Sequence, residues 1–412
     1  MTAPSYDAVL LLSFGGPEGP DDVMPFLRNV TRGRGVPEDR LVEVSHHYLA
    51  YGGVSPINAQ NRALRQALSD ELAARGSHLP VLWGNRNWDP YLADTLRAAH
   101  AAGHRRLLAL VTSAYAGYSS CRQYREDLAR ALEETGLGDE LTIDKVRPFY
   151  DLPGFVEPFA RGVRAALPRA GQAPARTHVL FVTHSIPTAA AEQAGPPGRR
   201  PGGDGVYAAQ HRAVAQAVMD QAVTDQAVTD RAVTDRAVTH RAATDQPATD
   251  QDQEEVSWSL AYQSRSGAPS TPWLEPDVND AIRDLAVQGV RAVVLVPIGF
   301  VSDHLEVLWD LDEEAVETAS GLGLHVERVA TPGVDQAFVA GLVDLVAQRC
   351  AVVAPTAGER GAPLVAAPFA ALRPTSLDAP SLCAIGRWED SCLPGCCANP
   401  RAPRPVAASA VP

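Results

Sequence analysis

The sequence predicts an α/β fold with two largely parallel sheets, and three observations carry that prediction. Short apolar runs alternate with helix-like segments through most of the 412 residues. The runs are continuously apolar instead of alternating, as in strands covered on both faces. At 45% hydrophobic content the chain can bury more than one core. In order, the strand-like runs are Ala8–Phe14, Val81–Trp83, Leu107–Thr112, Val179–Thr183, Trp258–Tyr262, Val293–Ile298 and His325–Val329. Between them lie the helix-like stretches Asn61–Ala74, Asp89–Ala101, Tyr124–Glu134, Val278–Gln288 and Gln336–Gln348. Strand–helix–strand repetition implies right-handed crossovers, with one sheet before about residue 170 and one after it. We therefore divide the chain into an N-terminal unit over 1–170, a second over 171–350 and a tail over 351–412.

Two segments break the pattern. From Gln216 to Asp250 a pentad recurs seven times, as QAVMD, QAVTD, QAVTD, RAVTD, RAVTH, RAATD and QPATD. At about 100° per residue, a five-residue step displaces each valine by about 140°, so no single apolar stripe forms. Period five defeats strand alternation too, and β-branched Val and Thr lower helix propensity. A solvated insert over about 195–254 is expected, with its Gly- and Pro-rich start a loop. After Cys350 the chain turns to Ala and Pro without periodicity, a tail poorly ordered unless its cysteines are tied to a metal.

Charge and targeting signals narrow the function. A net charge of −13 argues against a nucleic-acid partner, which needs clustered positive charge. The N-terminus MTAPSYDAVLLLSFGG has no basic region and only a strand-length apolar run, so no signal peptide is read. No apolar stretch approaches the length of a membrane span. A soluble, cytoplasmic protein is expected.

Polar residues gather where the runs end, the place where open parallel sheets bind ligands. The run at Val179 delivers Thr183, His184 and Ser185, and a histidine there can ligate a metal or move a proton near neutral pH. A hydrogen-bonded loop histidine is the plainer alternative. The run at Val293 delivers Gly299-Phe300-Val301-Ser302-Asp303-His304-Leu305-Glu306, and Glu306, Asp310 and Glu314 follow four apart on one helical face. Like charges at that spacing repel unless solvated or neutralised by a cation, so the stripe is either a solvated face or a path for a divalent metal. Imidazole with carboxylate suits Fe(II) or a similar ion, and a set this sparse suits a metal passed on. On the first half, Phe14-Gly15-Gly16-Pro17 ends the first run, and Arg32, Arg34, Ser55, Tyr115, Tyr118 and Tyr124 lie in loop-like sequence. Arg, Ser and Tyr are the donors that a polycarboxylate ligand requires, and Trp88, Tyr91 and Trp273 could wall it.

These segments together resemble the ferrochelatases, and among them the actinobacterial type. The resemblance rests on LLLSFGGPEGPDDVMPFLRNVTRGRGVP, YGGVSPIN, GNRNWDPY, TSAYAGYSSCRQY, VTHSIP, YQSRSG, PWLEPDV and PIGFVSDHLEVLWDLD. It implies two Rossmann-like halves with a porphyrin cleft between them. Within VTHSIP it implies His184 as the catalytic base. Within SDHLE it implies Glu306 as the metal-binding carboxylate, with His304, Asp310 and Glu314 as an outer file. Ser55, Tyr124 and Arg32 would contact propionates. Phe14 stands where some relatives carry a Tyr able to approach the metal; it cannot ligate, and an apolar wall is the remaining role. The implied activity is insertion of ferrous iron into coproporphyrin III in haem b biosynthesis, with other enzymes of that pathway as possible partners. A protoporphyrin IX chelatase, a chelatase for another divalent metal and a porphyrin carrier are the alternatives.

Six cysteines complete the inventory, four of them, Cys383, Cys392, Cys396 and Cys397, crowded in the tail. In a reducing compartment such thiols suggest a metal before disulfides. The resemblance implies a [2Fe–2S] cluster on CAIGRWEDSCLPGCC, with Zn(II) as the alternative. Either Cys396 and Cys397 both ligate, or Cys350 or Cys121 supplies a ligand.

Overall fold

The computed structural model describes residues 6–33, 35–196, 205–238, 256–265, 270–353 and 395–398, with the backbone alone for 224–238 and 351–353. Arg34, the later pentads, Cys383, Cys392 and nearly all of the tail lie outside the described residues.

Eight strands form two four-stranded parallel sheets of identical winding. The first sheet contains β1 (Ala8–Ser13), β2 (Val81–Asn85), β3 (Arg106–Val111) and β4 (Thr142–Lys145), in the order β2-β1-β3-β4. The second contains β5 (Thr177–His184), β6 (Ser257–Gln263), β7 (Ala292–Val296) and β8 (His325–Arg328), in the order β6-β5-β7-β8. β1, β3, β5 and β7 are the continuously apolar runs of the sequence and are buried almost throughout. Each fully buried Leu or Val there contributes roughly 1.5–3 kcal/mol. In each sheet the chain leaves the starting strand to one side and returns on the other. That reversal opens a crevice between β1 and β3, and an equivalent one between β5 and β7, at the carboxyl ends of the strands.

Helices fill both faces. After β1 come α1 (Pro20–Val30) and α2 (Glu38–Ala50), then α3 (Ile57–Ala74); α4 (Leu92–Ala101) follows β2, and α5 (Gln123–Thr135) follows β3. α1 begins with Pro20 and places Asp21 and Asp22 in its first turn, where a fixed φ and negative charge suit a helix start. Its Val23, Phe26 and Leu27 pack with Leu41 and Tyr48 of α2 in a small core that also takes in Leu305 of the second half. α6 (Pro153–Arg169), α7 (Thr188–Glu192), α8 (Gly205–Val238), α9 (Val278–Val287), α10 (Leu305–Val307), α11 (Ala315–Gly321) and α12 (Gln336–Val353) complete the set. α6 packs on α8 and α12, and α12 on α3, so the largest core runs unbroken from Tyr6 to Cys397. No helix among the described residues is long and apolar enough to cross a membrane.

α8 departs from the sequence expectation. Within the stretch read as a solvated insert, Val214, Ala215, Val218, Met219 and Ala222 are buried. Their spacing follows one helical face, because residues ahead of the repeat extend the apolar stripe that the pentads alone cannot make. At Val223, 49% exposed, that face ends.

Candidate active site

His184 and Phe14 stand at the carboxyl ends of the first strands, in chain order, of the two sheets, β5 and β1. His184 is the last residue of β5, paired with Gln263 of β6. Ser185 N donates to Gln263 O at 2.8 Å and Ser185 Oγ to Leu274 O at 2.9 Å, so the strand end is fixed from both sides. His184 Nδ1 lies against the Ser185 carbonyl. A carbonyl only accepts, so Nδ1 carries a proton, and Nε2 faces Glu306 Oε2 at 3.8 Å. Both side chains reach solvent, His184 at 34% and Glu306 at 50%. The arrangement sets an imidazole and a carboxylate side by side, both reaching solvent, a donor pair that suits a cation handed on.

The segment leading to Glu306 is held by close backbone approach. A Cβ on Gly299 would lie 2.1 Å from Thr183 Oγ1, so only glycine lets the chain after β7 pass the end of β5. Asp303 is fixed by Arg328 at 2.6 Å, which also reaches Asp312, and its carbonyl accepts from Gln60 Nε2 of α3 at 2.8 Å. Between α10 and α11, residues Leu308–Glu314 wind as a π-helix. Residues four apart then fall just short of a full turn, so Glu306, Asp310 and Glu314 still share a side, as the spacing predicts.

Their environments differ. Ser264 Oγ donates to Asp310 Oδ2, and Gln263 Nε2 reaches the same oxygen at 3.1 Å. Glu314 accepts from Trp309 Nε1 at 2.8 Å. His304, beside Glu306, is half-buried, and the desolvation pushes its pKa down against the opposing pull of that carboxylate. Burial pushes Asp310 up to about 7; Ser264 opposes the shift, and Glu306 and Glu314 reinforce it. Between its ordinary value of 3.8 and about 7, the folded protein therefore holds a proton at Asp310 that the unfolded chain has released. The linked stability falls as pH rises through that window and is fully lost above it. Asp310→Asn is expected to flatten this slope, read as urea-unfolding stability at pH 5 and pH 8. An unchanged difference between the two pH values would contradict the assignment.

Across the cleft, Phe14 and Tyr124 meet around a residue the sequence reading passed over. The Arg86 guanidinium, at the end of β2, lies 5.7 Å from the Phe14 ring centre and 4.5 Å from that of Tyr124, and it is paired with buried Asp127. Burial works against its charge, but Asp127 and Tyr124 more than offset that and leave the pKa above its ordinary value. Its position within GNRNWDPY was the available signal; the ring stacking was not legible. Ser55 is buried beside Gly16, where an added Cβ would meet its Oγ at 3.1 Å. Arg32 is exposed at the rim, near enough to Tyr91 to pull that phenol's pKa down against its burial. Phe14 touches Phe26 edge-on, and Trp88 meets Phe26 edge-on and Tyr91 at a tilt, so these rings form one aromatic cluster.

Among the described residues, no three His, Cys, Asp or Glu side chains are grouped to hold a metal. The tail enters the fold at one point. Cys396 and Cys397 are buried, their sulfurs 3.8 Å apart. Cys397 exchanges backbone contacts with Gly195, whose N–H also donates to Cys397 Sγ at 3.2 Å. Arg122 Nη1 reaches the Cys396 carbonyl at 3.4 Å, so this turn docks beside the segment that carries buried Cys121. Cys350 is buried in α12, and burial pushes its thiol up to about 12.

A family model described as Ferrochelatase matches residues 6–350. A coproporphyrin III ferrochelatase of Leifsonia xyli subsp. xyli is 50% identical over 408 residues, covering 96% of this chain and 92% of the relative. One from Streptomyces coelicolor is 49% identical over 418 residues, covering 100% and 98%. A ferrochelatase of Rhodopirellula baltica is 42% identical over 406 residues, covering 98% and 97%.

Proposed function

This chain belongs to the ferrochelatase family, and on that premise we propose that it inserts ferrous iron into coproporphyrin III, the tetrapyrrole named for its relatives. The observation that carries the reaction is His184 Nε2 lying 3.8 Å from Glu306 Oε2. Metallation exchanges two pyrrole N–H protons for one Fe(II), so a site must accept protons where it delivers metal. His184 Nε2 takes a pyrrole proton, and the Ser185 carbonyl holds the ring by its Nδ1–H as the imidazolium forms. Glu306 brings the cation to the exposed nitrogen lone pairs or relays the proton outward. Asp310 and Glu314, with His304 beside them, form the outer file through which the Fe(II) dication enters and the two displaced protons leave, His184 passing on the first before it takes the second.

The opposite wall binds the macrocycle. Phe14 offers an apolar face, and the Arg86–Tyr124 pair a cationic edge. Ser55, Tyr124 and Arg32 supply donors for propionates. A wall that grips the rim while His184 presses the centre favours the bent ring, in which the lone pairs are exposed, over the flat one; that difference lowers the barrier. The halves 1–170 and 171–350 act as the two jaws. The product would pass to another enzyme of haem b biosynthesis.

We also propose that the tail holds a [2Fe–2S] cluster in a reducing cytoplasm. Two sulfurs 3.8 Å apart match an edge of a tetrahedral site with metal–sulfur bonds of about 2.3 Å. The Gly195 N–H on Cys397 Sγ favours a thiolate. Cys396 and Cys397 would both ligate, with Cys383 and Cys392 completing the four, and Cys121 lies closer to this turn in the fold than the sequence suggests. Such a cluster supplies a redox-sensitive tie between the tail and the body. Protein purified anaerobically is expected to show visible charge-transfer bands with two irons and two acid-labile sulfides, lost in Cys397→Ser. Colourless protein binding one zinc would overturn the cluster.

The substrate is tested by anaerobic Fe(II) insertion with coproporphyrin III and protoporphyrin IX in parallel. Coproporphyrin III is expected to give at least about tenfold higher kcat/KM. Equal or reversed values would overturn the choice of substrate.

A further inference from the structure

We infer that Tyr207 and His211, on the first turns of α8, are positioning residues that hold His184 in register through one buried network with Thr183. The inference rests on the reading of His184 as the base. Tyr207 OH donates to the His184 carbonyl at 3.0 Å and lies 3.0 Å from Thr183 Oγ1. His211 Nε2 lies 2.9 Å from the same Thr183 oxygen, and His211 Nδ1 lies 2.8 Å from the Tyr207 carbonyl.

Counting protons orders the network. The Tyr207 carbonyl can only accept, so His211 Nδ1 carries the proton. Burial keeps the ring neutral, with its pKa pushed down to about 3. His211 Nε2 is therefore an acceptor, and the single Thr183 hydroxyl proton goes to it. The Tyr207 proton is left for the His184 carbonyl, with Thr183 Oγ1 as its second acceptor. The His211 and Thr183 protons each have one place, the Tyr207 proton is shared, and the chain ends on the backbone of the residue that performs the chemistry. Thr183, Tyr207 and His211 are all buried, so no water competes for these bonds.

The network also has a rigid seat. The His211 ring stacks on Tyr115 of the first half at 3.6 Å and 15°. Tyr115 OH donates to the Ile298 carbonyl at 2.8 Å, one residue before the glycine that lets the Glu306 segment pass Thr183. α8 itself starts at Gly205, with φ at +75°, where a Cβ would lie 2.0 Å from the Ala191 carbonyl. Tyr207 and His211 thus reference His184 to the second half's helix, and Tyr115 references the same point to the Glu306 segment. A shift of about 1 Å between reacting groups can cost about 10²-fold, so a network that sets the backbone of His184 relative to Glu306 acts on turnover.

Steady-state Fe(II) insertion by the full-length variants tests this. Tyr207→Phe keeps the ring and removes the donor; it is expected to lower kcat about tenfold, with KM for porphyrin and iron within about twofold and a cooperative urea-unfolding transition kept at a lower midpoint. His211→Leu strands the Thr183 hydroxyl and is expected to lower kcat further. His211→Gln returns an acceptor toward Thr183 and is expected to recover most of that loss. A kcat within twofold of wild type in both Tyr207→Phe and His211→Leu overturns the inference. So does a kcat loss matched by a loss of porphyrin affinity, or one that His211→Gln leaves untouched. If the wild-type protein itself inserts no iron, the proposed function has failed instead, and the positioning role falls with it.

Discussion

His184→Ala is expected to leave a protein that binds coproporphyrin and does not metallate it. The imidazole brings a nitrogen at the end of β5 to 3.8 Å from Glu306, and its Nδ1 is committed to Ser185 O. Losing a positioned base costs about 10²–10⁴ in rate. Binding should persist, because the proposed macrocycle wall, Phe14, Arg86 and Tyr124, belongs to the other half. Quenching of porphyrin fluorescence on titration reads binding, and the absorbance change on anaerobic iron addition reads metallation. Turnover near that of wild type would remove His184 from the mechanism.

Arg86→Leu should cost both stability and affinity, and the two losses can be separated. Its partner Asp127 is only 5% exposed, and removing one member of a buried pair costs about 3–5 kcal/mol. Asp127 retains Arg130 at 2.6 Å, but that arginine is 59% exposed and compensates in part, so a loss of about 3 kcal/mol in urea unfolding is expected. Porphyrin affinity should fall as well, since Phe14 and Tyr124 lose the cation that lies over both rings. Arg86→Leu with Asp127→Leu removes the stranded charge and should restore stability without restoring affinity. If the double variant regains porphyrin binding, Arg86 serves only the fold.

What the sequence revealed followed hydrophobic pattern and motif. β1, β3, β5 and β7 are buried on both faces and read as continuous apolar runs, so their carboxyl ends, and with them His184 and the segment leading to Glu306, were legible. β4 was not, because two of its four residues are charged. Asp144 is buried by virtue of Tyr6 OH at 2.7 Å, Arg106 at 3.0 Å and Arg349 at 3.6 Å, partners far away in the chain. α1, α2 and α6 went unread as elements, each carrying an internal proline or a charged start that blurs the period. α8 was hidden by its repeat: Tyr207 and His211 stand just ahead of the pentads, in sequence whose apolar face is completed only by neighbours such as α6. Arg86 was missed for a related reason. An arginine in a loop gives no sign of burial until its carboxylate and rings are brought to it from two other segments, the end of β1 and α5.

The central claim is that the cleft of this chain metallates a porphyrin at His184 and Glu306. Wild-type protein mixed anaerobically with stoichiometric coproporphyrin III and Fe(II) tests it in a single turnover. The free-base spectrum is expected to give way to that of the iron complex, with iron recovered in the extracted porphyrin. Porphyrin that binds tightly and stays metal-free, while Fe(II) is demonstrably present, would contradict the account and leave a carrier in its place.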